Sequence, residues 1–412
     1  MHVNRLVLLV PLFVACANAN QAARSIRPRK NLVDPAPAVR LLQDARFDEA
    51  EAKARAILAG DPPNAQAHVV VAMVGYHRAM RQAILDMMSV GEAAFRGLGI
   101  NHQYARFALQ TADDGLAAAD VHLMAAGTDG GFTLDLCLAC WRYDWNRNGR
   151  IDYRDEALFQ VEVDADGHAL PQDDPRRRPI FRFDVGDIHW ARAMLLFQRA
   201  AVNLVLAYDW HDLDKLVAGG HDEPDVLTLR LIDKVRVAKA KTLVLDGLAA
   251  AELSRQLYLA ETDDFNEWVP NPRQRSHPMP LPVDEALYDT WGAVLADLGR
   301  LLAGKQGLDV AQLAQLGGHQ WSRPPEGYIN LGKLFDQPGD VVLRRAVFEA
   351  MDRADRADPA PAQAALRDLF GDKYTKAMTP SPLIGHLLRM KREMDRGQES
   401  FERKLRYLIW LN

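Results

Sequence analysis

The chain has 412 residues, 50 basic and 55 acidic side chains, and a formal net charge of −5. That length can bury a substantial core, and the near balance of charge gives none of the basic excess that nucleic acid binding demands. Ala, Leu, Arg and Asp are abundant and β-branched runs are few, which favours helix over sheet. The expected fold is mainly α, a helical array with a small loop and β-hairpin insertion. Its parts are a leader over 1–19, a helical segment over 36–126, the insertion over 127–187 and a second helical segment over 188–412.

The first residues read as an export signal. Arg5 gives a positive start, and the apolar run Leu6 to Ala15 falls well short of the roughly 20 residues a membrane helix needs. Leu12-Phe13-Val14-Ala15-Cys16 resembles the lipobox of bacterial lipoproteins, with Phe13 in place of the preferred Leu. The resemblance implies cleavage before Cys16, diacylation of that Cys and stable anchoring by two acyl chains. Ala17 follows the Cys where an inner-membrane protein would carry Asp, which implies the periplasmic side of the outer membrane. Cleavage after Ala19, at Ala17-Asn18-Ala19, is the competing expectation and gives a soluble periplasmic protein.

Residues 36–64 carry Phe47, Ala50 and Pro62 around an Ala-rich helix. They resemble one tetratricopeptide repeat, although Ile57 stands where that family has a small residue. The resemblance implies a helix pair, and a single pair must bury its face on the helices that follow. Apolar residues Val69, Ala72, Met73 and Tyr76 then recur at spacings of three and four, which continues the helical pattern to about residue 126. Gly97, Gly99 and Asn101 break it once.

The insertion opens on Cys137 and Cys140. In an oxidising compartment these form a disulfide candidate. A redox centre needs a βαβ pattern that is missing here, zinc needs two further ligands, and Trp141 stands where haem attachment needs His. Residues 144–155 follow, Asp-Trp-Asn-Arg-Asn-Gly-Arg-Ile-Asp-Tyr-Arg-Asp. Ca²⁺ takes six to eight hard oxygen ligands around a tight bend. Asp144, Asn146, Asn148, Asp152 and Asp155 supply side-chain oxygens, Arg150 supplies its carbonyl, Gly149 makes the bend, and Ile151 is the expected apolar anchor. The stretch resembles an EF-hand calcium loop. Asp155 replaces the usual closing Glu, as in dockerin-type loops, which implies a weak extracellular class of site. A second acidic loop offers Glu162, Asp164, Asp166 and Asp173. It lies too close in sequence for a paired EF-hand, so a polar hairpin is expected there, with a second metal site as the alternative. Phe159, Val161 and Val163 alternate like a strand, with Ile180, Phe181 and Phe183 as the expected partner. Arg176-Arg177-Arg178 reads as a solvated face.

Helices are expected from Asp187 to about Leu216 and from Asp225 to about Glu261, then a Pro-rich loop over 262–282 containing Trp268. Shorter helices are expected over 284–303, 309–316, 340–357, 361–370 and 382–411. Trp190 to Trp210 comes nearest to a membrane span, but Arg192, Arg199 and Asn203 interrupt it.

No H-E-x-x-H, G-x-S-x-G or phosphate-binding Gly-rich loop occurs. His189, His211 and His221 lie near acidic residues, as ordinary surface or core histidines do. The expected function is a calcium-binding scaffold or interaction lipoprotein of the cell envelope, with a protein partner there, the membrane reached through the lipid anchor, and no nucleic acid. The alternatives are a metal-dependent envelope enzyme using His168 and Asp187, with Asp184 beside it, or a redox protein using Cys137 and Cys140.

Overall fold

The computed structural model describes residues 28–157, 159–164, 168–217, 225–278, 283–316, 325–345 and 360–394. The leader with Cys16, Asp166, His221 and the last part of the 382–411 helix lie outside these residues. Among the described residues no helix is long and apolar enough to cross a membrane.

The chain is mainly helical, as the composition predicts. Helices α1 (Ala36–Gln43) and α2 (Phe47–Gly60) form a pair that packs on α3 (Ala65–Phe95). From α2, Phe47, Ala50, Ala54 and Ile57 are buried, so small residues let the helix axes approach while Phe47 and Ile57 fill the seam. Asn64 caps α3 by accepting from the Ala67 amide at 3.1 Å. Helix α3 turns back at Gly97 and Gly99 into α4 (His102–Ala126), whose cap is Asn101.

Strands β1 (Thr133–Leu136) and β2 (Phe181–Asp184) then pair antiparallel, Thr133 opposite Asp184 and Leu136 opposite Phe181. This corrects the expected pairing of 180–183 with 159–163. Thr133 to Leu136 alternates exposed and buried residues, so Leu134 and Leu136 present the apolar face that Phe181 and Phe183 need. Residues 159–163 instead make the single bridge Val163 to Ala169 and a Val161 amide bond to Arg177.

The described chain continues through a short helix α5 (Tyr153–Ala157), α6 (Val185–Ala207), β3 (Tyr208–Asp209), α7 (Asp214–Val217), β4 (Val226–Leu231) and α8 (Lys234–Ala260). It ends with α9 (Glu285–Leu302), β5 (Leu308–Asp309), α10 (Val310–Leu316), β6 (Tyr328–Ile329), α11 (Leu331–Asp336), β7 (Val341–Arg344), α12 (Ala360–Phe370), β8 (Tyr374–Thr375) and α13 (Leu383–Met394). Strand is therefore not confined to the insertion. Val226 to Leu231 is a strand between β3 and β7, not the start of a helix, and Val341 to Arg344 is its partner, not the opening of a 340–357 helix. The helical pattern begins only after Asp233, whose side chain caps α8 at the Val235 and Arg236 amides.

Two large cores fill the molecule. One joins α1–α4 to Leu134, Leu136, Trp141, Val161 and Leu170 of the insertion and to Tyr258, Trp268 and Tyr288. The other lies among α6, α8, α9 and the C-terminal elements. Helices α6 and α8 cross closely at Gly247, where a Cβ would stand 2.4 Å from the Phe197 ring. Gly247→Val should therefore lower stability by about 1–3 kcal/mol through overpacking, read as a lower denaturation midpoint with unchanged helical content.

Candidate metal centre

The insertion reaches the 144–155 loop through a buried aromatic cluster. Cys137 and Cys140 form a disulfide with their Cα atoms 5.3 Å apart. Trp141 follows and is buried edge-on against Phe47 of α2, with ring centroids 5.2 Å apart. Trp145 stands on His77 of α3 at 4.5 Å and on Phe159 at 5.6 Å. Burial, and next Arg81, Arg78 and Arg147, push the His77 pKa down to about 4, so His77 packs here as a neutral ring.

Arg81 of α3 ties the start of the loop to the helix. Its Nε donates to the Trp145 carbonyl at 2.7 Å, Nη1 to the Tyr143 hydroxyl at 2.8 Å, and Nη2 to the Asp144 carbonyl. The guanidinium also sits 4.6 Å from the Tyr143 ring centroid. Arg147 donates to Gln82 of the same helix at 3.0 Å.

From that support the chain curls as a loop of successive side-chain-to-amide bonds. Asp144 Oδ1 accepts from the Asn148 amide at 3.1 Å and Oδ2 from Gly149 at 2.8 Å. Asn146 Oδ1 accepts from Asn148 at 2.9 Å, and Asn148 Oδ1 from Arg150 at 2.8 Å. Asp155, only 3 % exposed, closes the loop by accepting from the Trp145 and Asp152 amides, each at 3.0 Å. Gly149 has φ +82°, a left-handed conformation that a Cβ would strain. Each of these oxygens keeps a further lone-pair site beyond the amide it accepts. Asp144, Asn146, Asn148 and Asp155 are thus gathered around one bend, but Asp144, Asp152 and Asp155 do not bring a carboxyl oxygen each to within 4.8 Å of one another as Glu261, Asp263 and Glu267 do. Ile151 departs from expectation: it is 42 % exposed, and Trp145 anchors the loop in its place.

On either side of the tip of the second acidic loop, residues 162–164 and 168–170 pair antiparallel. The Asp164 amide donates to the His168 carbonyl and the Leu170 amide to the Glu162 carbonyl, each at 2.9 Å. Asp164 Oδ1 accepts from the His168 amide at 2.9 Å. Glu162 and Asp173 are exposed. Arg176 pairs with Asp174 at 2.8 Å, and Arg177 donates to Gln160 at 3.0 Å.

A third group of acids comes together from distant segments. Asp184 and Asp187 form the capping box of α6, the Asp184 amide donating to Asp187 Oδ2 at 2.8 Å. Tyr258 Oη donates to Asp187 Oδ1 at 2.7 Å. Glu261, Asp263 and Glu267, from the loop after α8, bring one oxygen each to within 4.8 Å of one another. Of the three, Asp263 is exposed, Glu261 half-buried and Glu267 buried, and Glu267 accepts from the Phe265 amide at 3.2 Å. Sequence reasoning places 262–282 in a loop but misses these carboxyls. Their local signal is the acid-rich Glu261-Thr-Asp-Asp-Phe-Asn-Glu267.

His168 and Asp187, the residues of the enzyme alternative, sit in different settings: His168 is exposed beside Asp164, and Asp187 is buried under Tyr258. His211 pairs with Asp209, and His189 is buried against the Gly127 carbonyl at 3.3 Å. When the chain is compared with protein-family models, with curated proteins and with solved structures, nothing matches it.

Proposed function

We propose that this protein is a calcium-binding helical scaffold of the cell envelope, in which Ca²⁺ has a structural role at residues 144–155. The carrying observation is the curled loop itself, with Asp144, Asn146, Asn148 and Asp155 each accepting loop amides around the Gly149 bend. A loop already held in this shape loses little conformational entropy when an ion binds. The ion would stiffen the insertion where Arg81, Trp145 and Trp141 fasten it to α2 and α3. The envelope assignment rests on the leader, with Cys16 as the lipid attachment point, and the protein partner expected there is part of the same reading. Magnesium should bind more weakly than calcium, because it demands tighter octahedral geometry and gives up water reluctantly. The test is thermal unfolding of the mature protein in EDTA, in millimolar magnesium and in millimolar calcium. The proposal predicts a higher melting temperature in calcium alone, and equal melting in all three would reject it.

A further inference from the structure

We propose that residues 261–276 form a proton-operated latch, which closes on the N-terminus of α6 while the carboxyls of Asp184, Asp187, Glu261 and Glu267 keep protons and lifts as those protons leave. Four segments meet at this point: the end of β2, the first turn of α6, the end of α8 and the loop after it. The loop is held by the Arg182 amide donating to the Asn266 carbonyl at 3.1 Å and by the Glu267 amide donating to Ser276 at 3.3 Å. Asn271 Nδ2 donates to the Tyr258 carbonyl at 2.8 Å, and Gln274 Nε2 to the Asp263 carbonyl at 3.0 Å. Trp268 packs edge-on against Phe183 at 5.5 Å.

The acids beneath this loop crowd one another: Glu261, Asp263 and Glu267 bring one carboxyl oxygen each to within 4.8 Å of the others. Ionised carboxylates this close repel, which favours keeping a proton on one of them. Glu261 Oε2 is buried with no partner, which the neutral acid tolerates better than the anion. Tyr258 and Tyr288 also face the cluster, and both are neutral donors. Two cations border the cluster: Arg182 holds Asp135 at 2.8 Å and lies 5.0 Å over the Phe265 ring, where its charge also reaches Asp263 and Glu267, and Arg255 holds Glu252 at 2.7 Å.

Burial first, and then Asp184 nearby, push Glu261 up to about 10. Burial pushes Glu267 up to about 8, with Asp184 and Asp263 adding to it. Asp184 and Asp187 are raised by burial, Asp187 also by Asp184. In the unfolded chain such acids lose their protons near pH 4. Between there and the raised folded values, the folded state holds protons that the unfolded state has released. The stability these groups supply is therefore complete in acid and is lost as pH rises toward 8 and beyond.

The test uses the full chain in EDTA, with melting and hydrogen exchange followed from pH 5 to 9.5. Each proton retained in the fold should raise the unfolding constant up to about tenfold per pH unit across that window. Exchange of amides 261–276, corrected for intrinsic rate, should rise with the same profile while α4 stays protected. Glu261→Gln replaces the neutral acid with an uncharged donor and should flatten the profile. Should that variant not fold, Glu267→Gln carries the same expectation. A folded Gln variant as pH-dependent as wild type would overturn the latch. So would calcium restoring loop protection at pH 9 in Asp144→Ala/Asp155→Ala, because a cation would then be holding the cluster.

Discussion

Asp113→Ala is expected to lower the unfolding free energy by about 3–5 kcal/mol, the cost of breaking a buried ion pair and leaving one partner behind. Asp113 lies in α4 and is 1 % exposed. Arg199 of α6 donates to its Oδ1 at 3.0 Å, and Lys239 of α8 to its Oδ2 at 2.7 Å. Burial alone would raise the Asp113 pKa, but hydrogen bonds from Lys239 and Arg199 outweigh it and hold the group below its ordinary value. Without the carboxylate, Lys239 can turn to water, because its side chain is 43 % exposed. Arg199, 11 % exposed, keeps only a long contact of 3.8 Å to Asp120. Urea unfolding measures the loss. A milder effect for replacing Asp113, Arg199 and Lys239 together by apolar residues would show that the stranded Arg199 carries most of it.

Asp155→Ala should have the next largest effect, and its size should depend on calcium. In EDTA the Trp145 and Asp152 amides lose their acceptor, a loss of about 1–3 kcal/mol for partly buried donors. In calcium at a hundredfold excess over the dissociation constant, a further ~2.7 kcal/mol of binding linkage disappears. The difference between the two conditions isolates ligation from loop closure. A variant that loses equal stability with and without calcium would place Asp155 in the loop's architecture but not among the ligands. Asp155→Asn, which keeps acceptor oxygen but loses charge, should recover more in EDTA than in calcium.

The helices were legible because their signal is local. Spacings of three and four carry α3 and α4, and Asn64, Asn101 and Asp284 cap helices by side-chain bonds to nearby amides. The bend of the 144–155 loop was legible for the same reason, since its side-chain oxygens and Gly149 occupy fixed places along one short stretch. Pairing over distance was not. Phe181 and Phe183 alternate like half of a hairpin, but their partner is Leu134 and Leu136, far upstream, and nothing local distinguishes that choice from Val161 and Val163. Val226 to Leu231 lies beside a long helical pattern and was absorbed into it, although its Val, Thr and Leu suit an extended chain against Val341 to Arg344. Ile151 matches the anchor position of a calcium loop, yet Trp145 takes the core side because Phe47, His77 and Phe159 are there to meet it. The acidic cluster was the least legible, since Asp184 and Glu261 meet only after α6 and α8 have packed.

Calorimetric titration of the mature, metal-free protein with calcium is the most direct measurement of the central claim. Wild type should give a saturable heat with one ion per chain at the affinity of a weak extracellular site, in the range of roughly 10⁻⁴–10⁻³ M. Asp144→Ala/Asp155→Ala should give none while remaining folded. No calcium heat in wild type at millimolar ion, or the same heat in the double variant, would contradict a calcium site at residues 144–155.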